Sequence, residues 1–208
     1  MKKTSLLFIL AVLLVAFKSS EKDFTSKIVY QYNFTDLAGN DLTDRMAAYV
    51  GREQHYYINA KNYKAYDEKE NLMQLYNSVT NTYYAVAKDK TAQKMDAVQG
   101  ASRKHEVKHL DAGEQIAGYD CKAVQIETDE ATIVYYYSPQ VKIDPKAYAS
   151  HHFGEWNKYL AATQGCLPLK HVITNTKSGF VWIATAVRIE RMALKDKDFE
   201  LLQDVRLK

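Results

Sequence analysis

Proline is nearly missing from this chain, with 3 in 208 residues, and glycine reaches only 8. Long disordered tracts need far more of both, and no linker, repeat unit or low-complexity stretch interrupts the sequence. Cysteine is scarce as well, limited to Cys121 and Cys166. The motifs of several enzyme classes are absent: there is no glycine-rich phosphate loop and no serine elbow. Carboxylates are too scattered to form an obvious acid–base pair. An enzyme is therefore the least supported class. The chain also lacks any apolar run long enough to cross a bilayer, which takes roughly 20 residues.

The longest apolar run is the twelve residues from Leu6 to Phe17, preceded by Lys2 and Lys3. A basic start and a short apolar core predict a secretory signal over residues 1–20, with the mature domain spanning 21–208. The cut point is not legible, because Leu14 or Phe17 falls where a small residue is preferred. No cysteine follows the run, so lipid attachment at a new N-terminal cysteine is excluded. The expected location is periplasmic or secreted. Losing Lys2, Lys3 and Lys18 leaves 25 of the 28 basic residues against 25 acidic ones. A near-neutral domain without a basic stripe excludes nucleic acid as a partner, and no integral membrane span remains in the mature chain.

What the sequence has in quantity is tyrosine, 16 residues of it, within an aromatic share of 12%. Tyrosine suits half-buried strands. Ile28, Tyr30, Tyr32 and Phe34 alternate with polar or smaller residues, which is the period of a strand. Met46–Val50 reads as a return strand, and four short strands follow: His55–Asn59, Tyr63–Asp67, Leu72–Asn77 and Thr82–Ala87. Their turns are too short for parallel crossovers, so this half is an antiparallel meander. Thr91–Ala101 changes period and predicts a helix, ended by Gly100. His105–Leu110 returns to strand. The stretch from Gly113 to Pro145 then carries two β-rich runs around Thr128-Asp129-Glu130. In the second, Ile133, Tyr135 and Tyr137 share one face, with Val134 and Tyr136 on the other, as in a strand covered on both sides. Asp144-Pro145 predicts a capped helix start, Gly154 an interruption, and Glu155–Gln164 an amphipathic helix ended by Gly165. A last hairpin pairs Leu169–Asn175 with Phe180–Arg191 through Thr176-Lys177-Ser178-Gly179. The fold class expected is mainly β, or α+β, with about ten antiparallel strands in a curved sheet or incomplete barrel and short helices as a lid.

Four phrases occur in a familiar order: Glu114-Gln115-Ile116-Ala117-Gly118-Tyr119-Asp120-Cys121-Lys122, Tyr135-Tyr136-Tyr137-Ser138-Pro139, Gly165-Cys166-Leu167-Pro168-Leu169, and Ile189-Glu190 ahead of Phe199. Over roughly residues 27–200 the chain resembles exported bacterial proteins of unknown function with a LolA/LolB-like, lipoprotein-carrier-like pattern. The resemblance implies an open antiparallel barrel whose concave mouth is covered by helices and holds lipid chains. The chain departs from the pattern after Phe199, where Glu200-Leu201-Leu202-Gln203 replaces a proline-containing tail. No arginine is assigned the family's functional role.

The candidate sites are few. Cys121 and Cys166 form an even pair in a chain expected to leave the reducing cytosol, which leaves a disulfide and two separate buried thiols as equal alternatives. His151, His152 and Glu155 have helical metal-ligand spacing, but Gly154 falls inside that turn and no third histidine or cysteine lies nearby. A solvated helix edge is the better account, and His105 with His109 is weaker still. No metal or cofactor is assigned. A curved sheet with so few helices leaves its concavity to be filled, and the Trp156, Tyr159 and Leu160 stripe is the apolar lid available. With Ile133, Tyr135 and Tyr137 it makes the candidate apolar cavity, for a lipid, acyl chain or other apolar small molecule. The alternative is an envelope module contacting protein or glycan through aromatics on an open outer face.

Overall fold

The computed structural model describes residues 24–99 and 102–208, so the expected signal segment and Gly100 lie outside the described residues. Twelve strands form one open sheet. The first meander comprises β1 (Ser26–Asp36), β2 (Glu53–Ile58), β3 (Asn62–Asp67), β4 (Leu72–Asn77), β5 (Thr82–Val86) and β6 (Thr91–Asp96). The second comprises β7 (His105–Ile116), β8 (Tyr119–Thr128), β9 (Thr132–Lys142), β10 (Cys166–Asn175) and β11 (Phe180–Arg191). The spatial order is β12-β6-β5-β4-β3-β2-β1-β11-β10-β9-β8-β7, where β12 is the short Arg206–Leu207 and pairs in parallel with β6. All other neighbours are antiparallel. The two meanders are thus joined by β1 against β11, along which the buried Ala184 and Ala186 face the larger Tyr32 and Tyr30. Register shifts at Val29/Tyr30, Ala65/Tyr66, Leu110/Gly113 and around Pro168 bend the strands, as an extra residue on one side of a ladder does. The sheet curls without closing.

Two sequence expectations fail, each for a local reason. Met46–Val50 is not a strand but part of helix α1 (Thr43–Val50). Asp41 Oδ1 accepts from Thr43 N at 2.8 Å, Thr43 Oγ1 accepts from Phe34 N at 3.0 Å, and Met46-Ala47-Ala48 are good helix formers. The true return strand is β2, paired directly with β1. Of the expected helix Thr91–Ala101, the described residues 91–99 are not helical; the first six form β6. Asp89 Oδ1 accepts from Thr91 N at 3.0 Å and Lys90 takes a left-handed φ of 62°, closing a tight hairpin that places β6 beside β5. Hairpin closure outweighs a weak helical period.

Between β9 and β10 the chain leaves the sheet and crosses its concave face. Asp144 caps a short 3-10 turn, Pro145–Tyr148, by accepting from Lys146 N at 2.9 Å. A second turn, Phe153–Glu155, runs into helix α2 (Trp156–Ala162). This lid is pinned mainly to the first meander. Tyr148 Oη donates to Asn59 O at 3.1 Å, and Asn81 Nδ2 donates to Ser150 O at 3.0 Å. His152 N and Phe153 N both donate to Ala97 O, at 2.7 and 2.9 Å. At the centre His151 is 1% exposed, with Nε2 2.6 Å from Tyr63 Oη and its ring 4.1 Å from that of Tyr76. Burial pulls its pKa from 6.5 down to about 4, so it is neutral at physiological pH.

That shift makes the lid acid-sensitive. Above pH 6.5 the unfolded and folded histidine are both neutral, and below about 4 both are protonated. Between those limits only the unfolded chain binds the proton, so stability falls as pH falls, by roughly 3 kcal/mol for this residue. Denaturant titrations from pH 7 to 4 should show that loss, and His151→Gln should flatten it in part, since the pKa values of His171 and His105 are lowered too. An unchanged slope in the variant would contradict this account.

Gly165 ends α2 with φ of 86°, its N–H donating to Leu160 O at 2.7 Å, and a Cβ there would stand 2.1 Å from Ile143 O. Gly179, in the last hairpin turn, also has positive φ but has open space around it. Gly165→Ala should therefore destabilise by about 3 kcal/mol or more, against about 1–2 kcal/mol for Gly179→Ala. Equal losses in thermal melts would refute the steric argument.

Candidate functional site

Under the lid the concave face keeps an open cleft of about 240 Å³. Its floor alternates along the strands of the first meander, with Tyr30 on β1, Tyr56 on β2, Tyr63 on β3 and Tyr83 on β5. Gln54 and Gln74 add amides on the same side. The second meander contributes Tyr135 on β9, Pro168, His171 and Ile173 on β10, and Trp182 on β11. Phe153, Gly154 and Trp156 bring the lid to its edge. The rings brace one another rather than standing free. Tyr83 stacks on Phe153 at 4.6 Å, Tyr56 lies 5.3 Å from Tyr63, and Trp156 stacks on Tyr159 at 5.4 Å, which in turn sits 4.3 Å from Tyr135.

Polarity in the cleft is sparse and uncharged. Among the described residues, none that lines it is Asp, Glu, Lys or Arg. Tyr30 Oη donates to Pro168 O at 2.6 Å, and Tyr83 Oη donates to Gln74 Oε1 at 2.9 Å. Burial pushes the Tyr83 phenol up to about 12 and Tyr30 higher still, so both keep their protons. Burial also lowers His171 to about 4, leaving a neutral ring. Three buried ring nitrogens on this wall have no hydrogen-bond partner: Trp156 Nε1, Trp182 Nε1 and His171 Nε2.

Of the residues nominated from sequence, Tyr135 and Trp156 line the cleft, and Tyr159 packs directly behind both. Leu160 is fully buried in the core, as is Tyr137 at 7% exposure, and Ile133 packs half-buried against that core. The sequence pattern does not single out His171, Trp182, Tyr63 or Tyr83 for the site. Period 2 places each on one strand face, but only the pairing of distant strands brings those faces together.

The candidate metal groups are occupied otherwise. His151 bonds to Tyr63, while the Glu155 carboxylate accepts from Ser102 N, pairs with Lys158 Nζ at 2.7 Å and lies 3.4 Å from His105 Nδ1. His109 is exposed on β7. Glu155 and Gly154 both take left-handed φ, 59° and 64°, so these contacts hold a strained corner at the start of α2. Cys121 and Cys166 are both buried and free. Strand β9 runs between theirs, roughly two strand spacings or 9–10 Å, whereas a disulfide needs Cα atoms within about 7 Å. Of the two alternatives for this pair, the structure contains separate thiols. Burial raises both pKa values, that of Cys121 to about 11.

Among the described residues no helix is long and apolar enough to cross a membrane. No protein-family model matches the chain, and no curated protein matches it. Solved structures do. The chain is similar to PNGF-II at a TM-score of 0.50 and 18% identity, covering 89% of this chain and 31% of that one. It thus spans about a third of that protein, and the likeness is one of fold alone. An uncharacterized conserved protein from Thermus thermophilus matches at 0.47 and 7% identity over 86% of this chain and 89% of the other. A LolA superfamily protein from Nitrosomonas europaea matches at 0.37 and 9% identity over 86% of this chain and 90% of the other.

Proposed function

We propose that this chain is an exported, non-catalytic binding protein that holds a lipid, an acyl chain or another apolar ligand between its concave sheet and its lid. The observation that carries the reading is convergence. Tyrosines from five strands, two tryptophans and Phe153 meet on one cleft without a charged side chain among the described residues, which is the lining an apolar ligand needs. The motif resemblance and the signal-like N-terminus support the same reading. A module working through an open aromatic face has less support, since Tyr49 is the only largely exposed aromatic among the described residues.

Size limits the occupant. Small-molecule sites usually enclose about 300–1,000 Å³, so 240 Å³ suits one chain or its end while the lid is down. Burying ten methylenes is worth about 8 kcal/mol, comparable to micromolar binding, before ordering costs are subtracted. Longer chains need the lid to lift, and the strained Gly154–Glu155 corner is the hinge for that motion.

Two experiments test the reading. Produced with residues 1–20 attached, the protein should reach the bacterial periplasm shortened at its N-terminus. Cytosolic material retaining Met1 would count against export. Native mass spectrometry of the exported protein should show co-purified lipid, and N-phenyl-1-naphthylamine, an uncharged apolar probe, should brighten on binding. Trp156→Ala should weaken probe binding about tenfold with little change in melting temperature, whereas Leu160→Ala should destabilise by about 2–5 kcal/mol. Neither lipid nor probe uptake by the wild type would end the carrier reading.

A further inference from the structure

We propose that the cleft takes an acyl chain joined to an uncharged, hydroxyl-bearing head group, a monoacylglycerol being the simplest case, and that Gln54 and Gln74 hold that head group. The inference rests on the apolar-ligand reading and adds the chemistry of the ligand's polar end. Both amides line the cleft from the first meander, Gln54 on β2 and Gln74 on β4, and both residues are half-buried. Gln54 makes no side-chain hydrogen bond to a described residue, and neither of its amide atoms is sealed from solvent. Gln74 accepts from Tyr83 Oη at 2.9 Å through Oε1, which leaves both hydrogens of its accessible Nε2 free. Three neighbouring phenols are already committed, Tyr30 to Pro168 O, Tyr63 to His151 and Tyr83 to Gln74.

The amides decide what the head group must be. An open amide oxygen needs a donor, and an open amide N–H needs an acceptor. A hydroxyl is both, whereas a plain ester carbonyl only accepts and would leave Gln54 Oε1 to lose its water uncompensated. A charged group finds no counterpart, since no described lining residue is Asp, Glu, Lys or Arg and burial keeps His171 neutral. Strand β3 runs between the two amides, so roughly 9–10 Å separates their strands, a gap that two long side chains and a head group of several hydroxyls fill together. Across the cleft Pro168 and Ile173 on β10, Trp182 on β11 and Phe153 on the lid give the chain an apolar side. The ligand thus lies with its chain toward the second meander and the lid, and its head group toward β2 and β4.

Displacement of N-phenyl-1-naphthylamine by 1-decanoylglycerol and by methyl decanoate, at pH 7.5 and below the micellar concentration of either, tests the selection. Methyl decanoate is the more apolar of the two, so a cleft that reads only the chain prefers it. Instead the glycerol ester should displace the probe at concentrations about threefold to tenfold lower, the effect of hydrogen bonds gained in the site. Gln54→Met, close in volume and without the amide, should shrink that preference by about threefold while methyl decanoate binds as before. If thermal melts show that this variant does not fold, the same ratio is read in Gln74→Met. A glycerol ester no better than the methyl ester overturns the inference and leaves the carrier reading intact. So does an unchanged ratio in the folded variant, which shows that the side chain acts by packing alone. If the wild type binds neither the probe nor either ester, the carrier reading fails and this inference with it.

Discussion

The antiparallel seam between β1 and β11 is the contact on which the rest of the molecule depends. Each meander is built from short turns and local pairings, and each alone would leave a long strand edge unpaired. Pairing Ser26–Asp36 with Phe180–Arg191 converts two sheets into one and sets Tyr30 and Tyr32 on the same concave surface as Trp182 and His171. The register is enforced by size. Ala184 and Ala186 leave room for the tyrosines opposite, and a one-residue slip would turn every large ring of β1 to the other face. The cleft is therefore a product of the seam rather than of either half.

Curvature creates a second demand, which the segment between β9 and β10 meets. A curled sheet has an inner face too deep for its own side chains, so something must cover it. The segment does so with two 3-10 turns and one short helix, far less than a full layer. Most of its hydrogen bonds run to the first meander, while Tyr159 reaches Tyr135 on the second. A lid that small leaves part of the concavity open as a cleft. Its entry corner is held by the Glu155 carboxylate on Ser102, and Ser102 is itself held by Asp129 at 2.9 Å, so the lid is tied to the β8–β9 turn as well.

Much of this architecture was legible because it is local. The alternation of Ile28, Tyr30, Tyr32 and Phe34 gives β1 directly, and the turn residues around β3, β4 and β5 give their antiparallel order. Asp144-Pro145 and Gly165 mark the lid's ends because capping and left-handed φ are properties of single residues. The failures fall where two weak signals compete. Met46–Val50 has apolar residues that suit either state, and an Asx turn at Asp41 decides for helix. Ala92 and Met95 fit a helical face, yet Lys90 and Asp89 close a hairpin first. The site was legible at Tyr135, on the apolar face of β9, and on the lid, where Trp156 and Tyr159 share a stripe. His171 and Trp182 were invisible because their role comes from β10 and β11 lying between β9 and β1, a long-range order that no spacing encodes.

The chemistry of the cleft follows from the same burial that shapes it. The titratable groups on or behind its wall with resolved shifts move toward their neutral forms: His171 and His151 downward, and the phenols of Tyr30, Tyr56, Tyr63, Tyr83, Tyr135 and Tyr159 upward. The two cysteines shift the same way. Acid–base and nucleophilic chemistry at neutral pH needs the opposite, a group held close to its ionisation point or poised in its charged state by a nearby partner. A wall that suppresses charge everywhere is poorly built to move protons and well built to exclude water from an apolar guest.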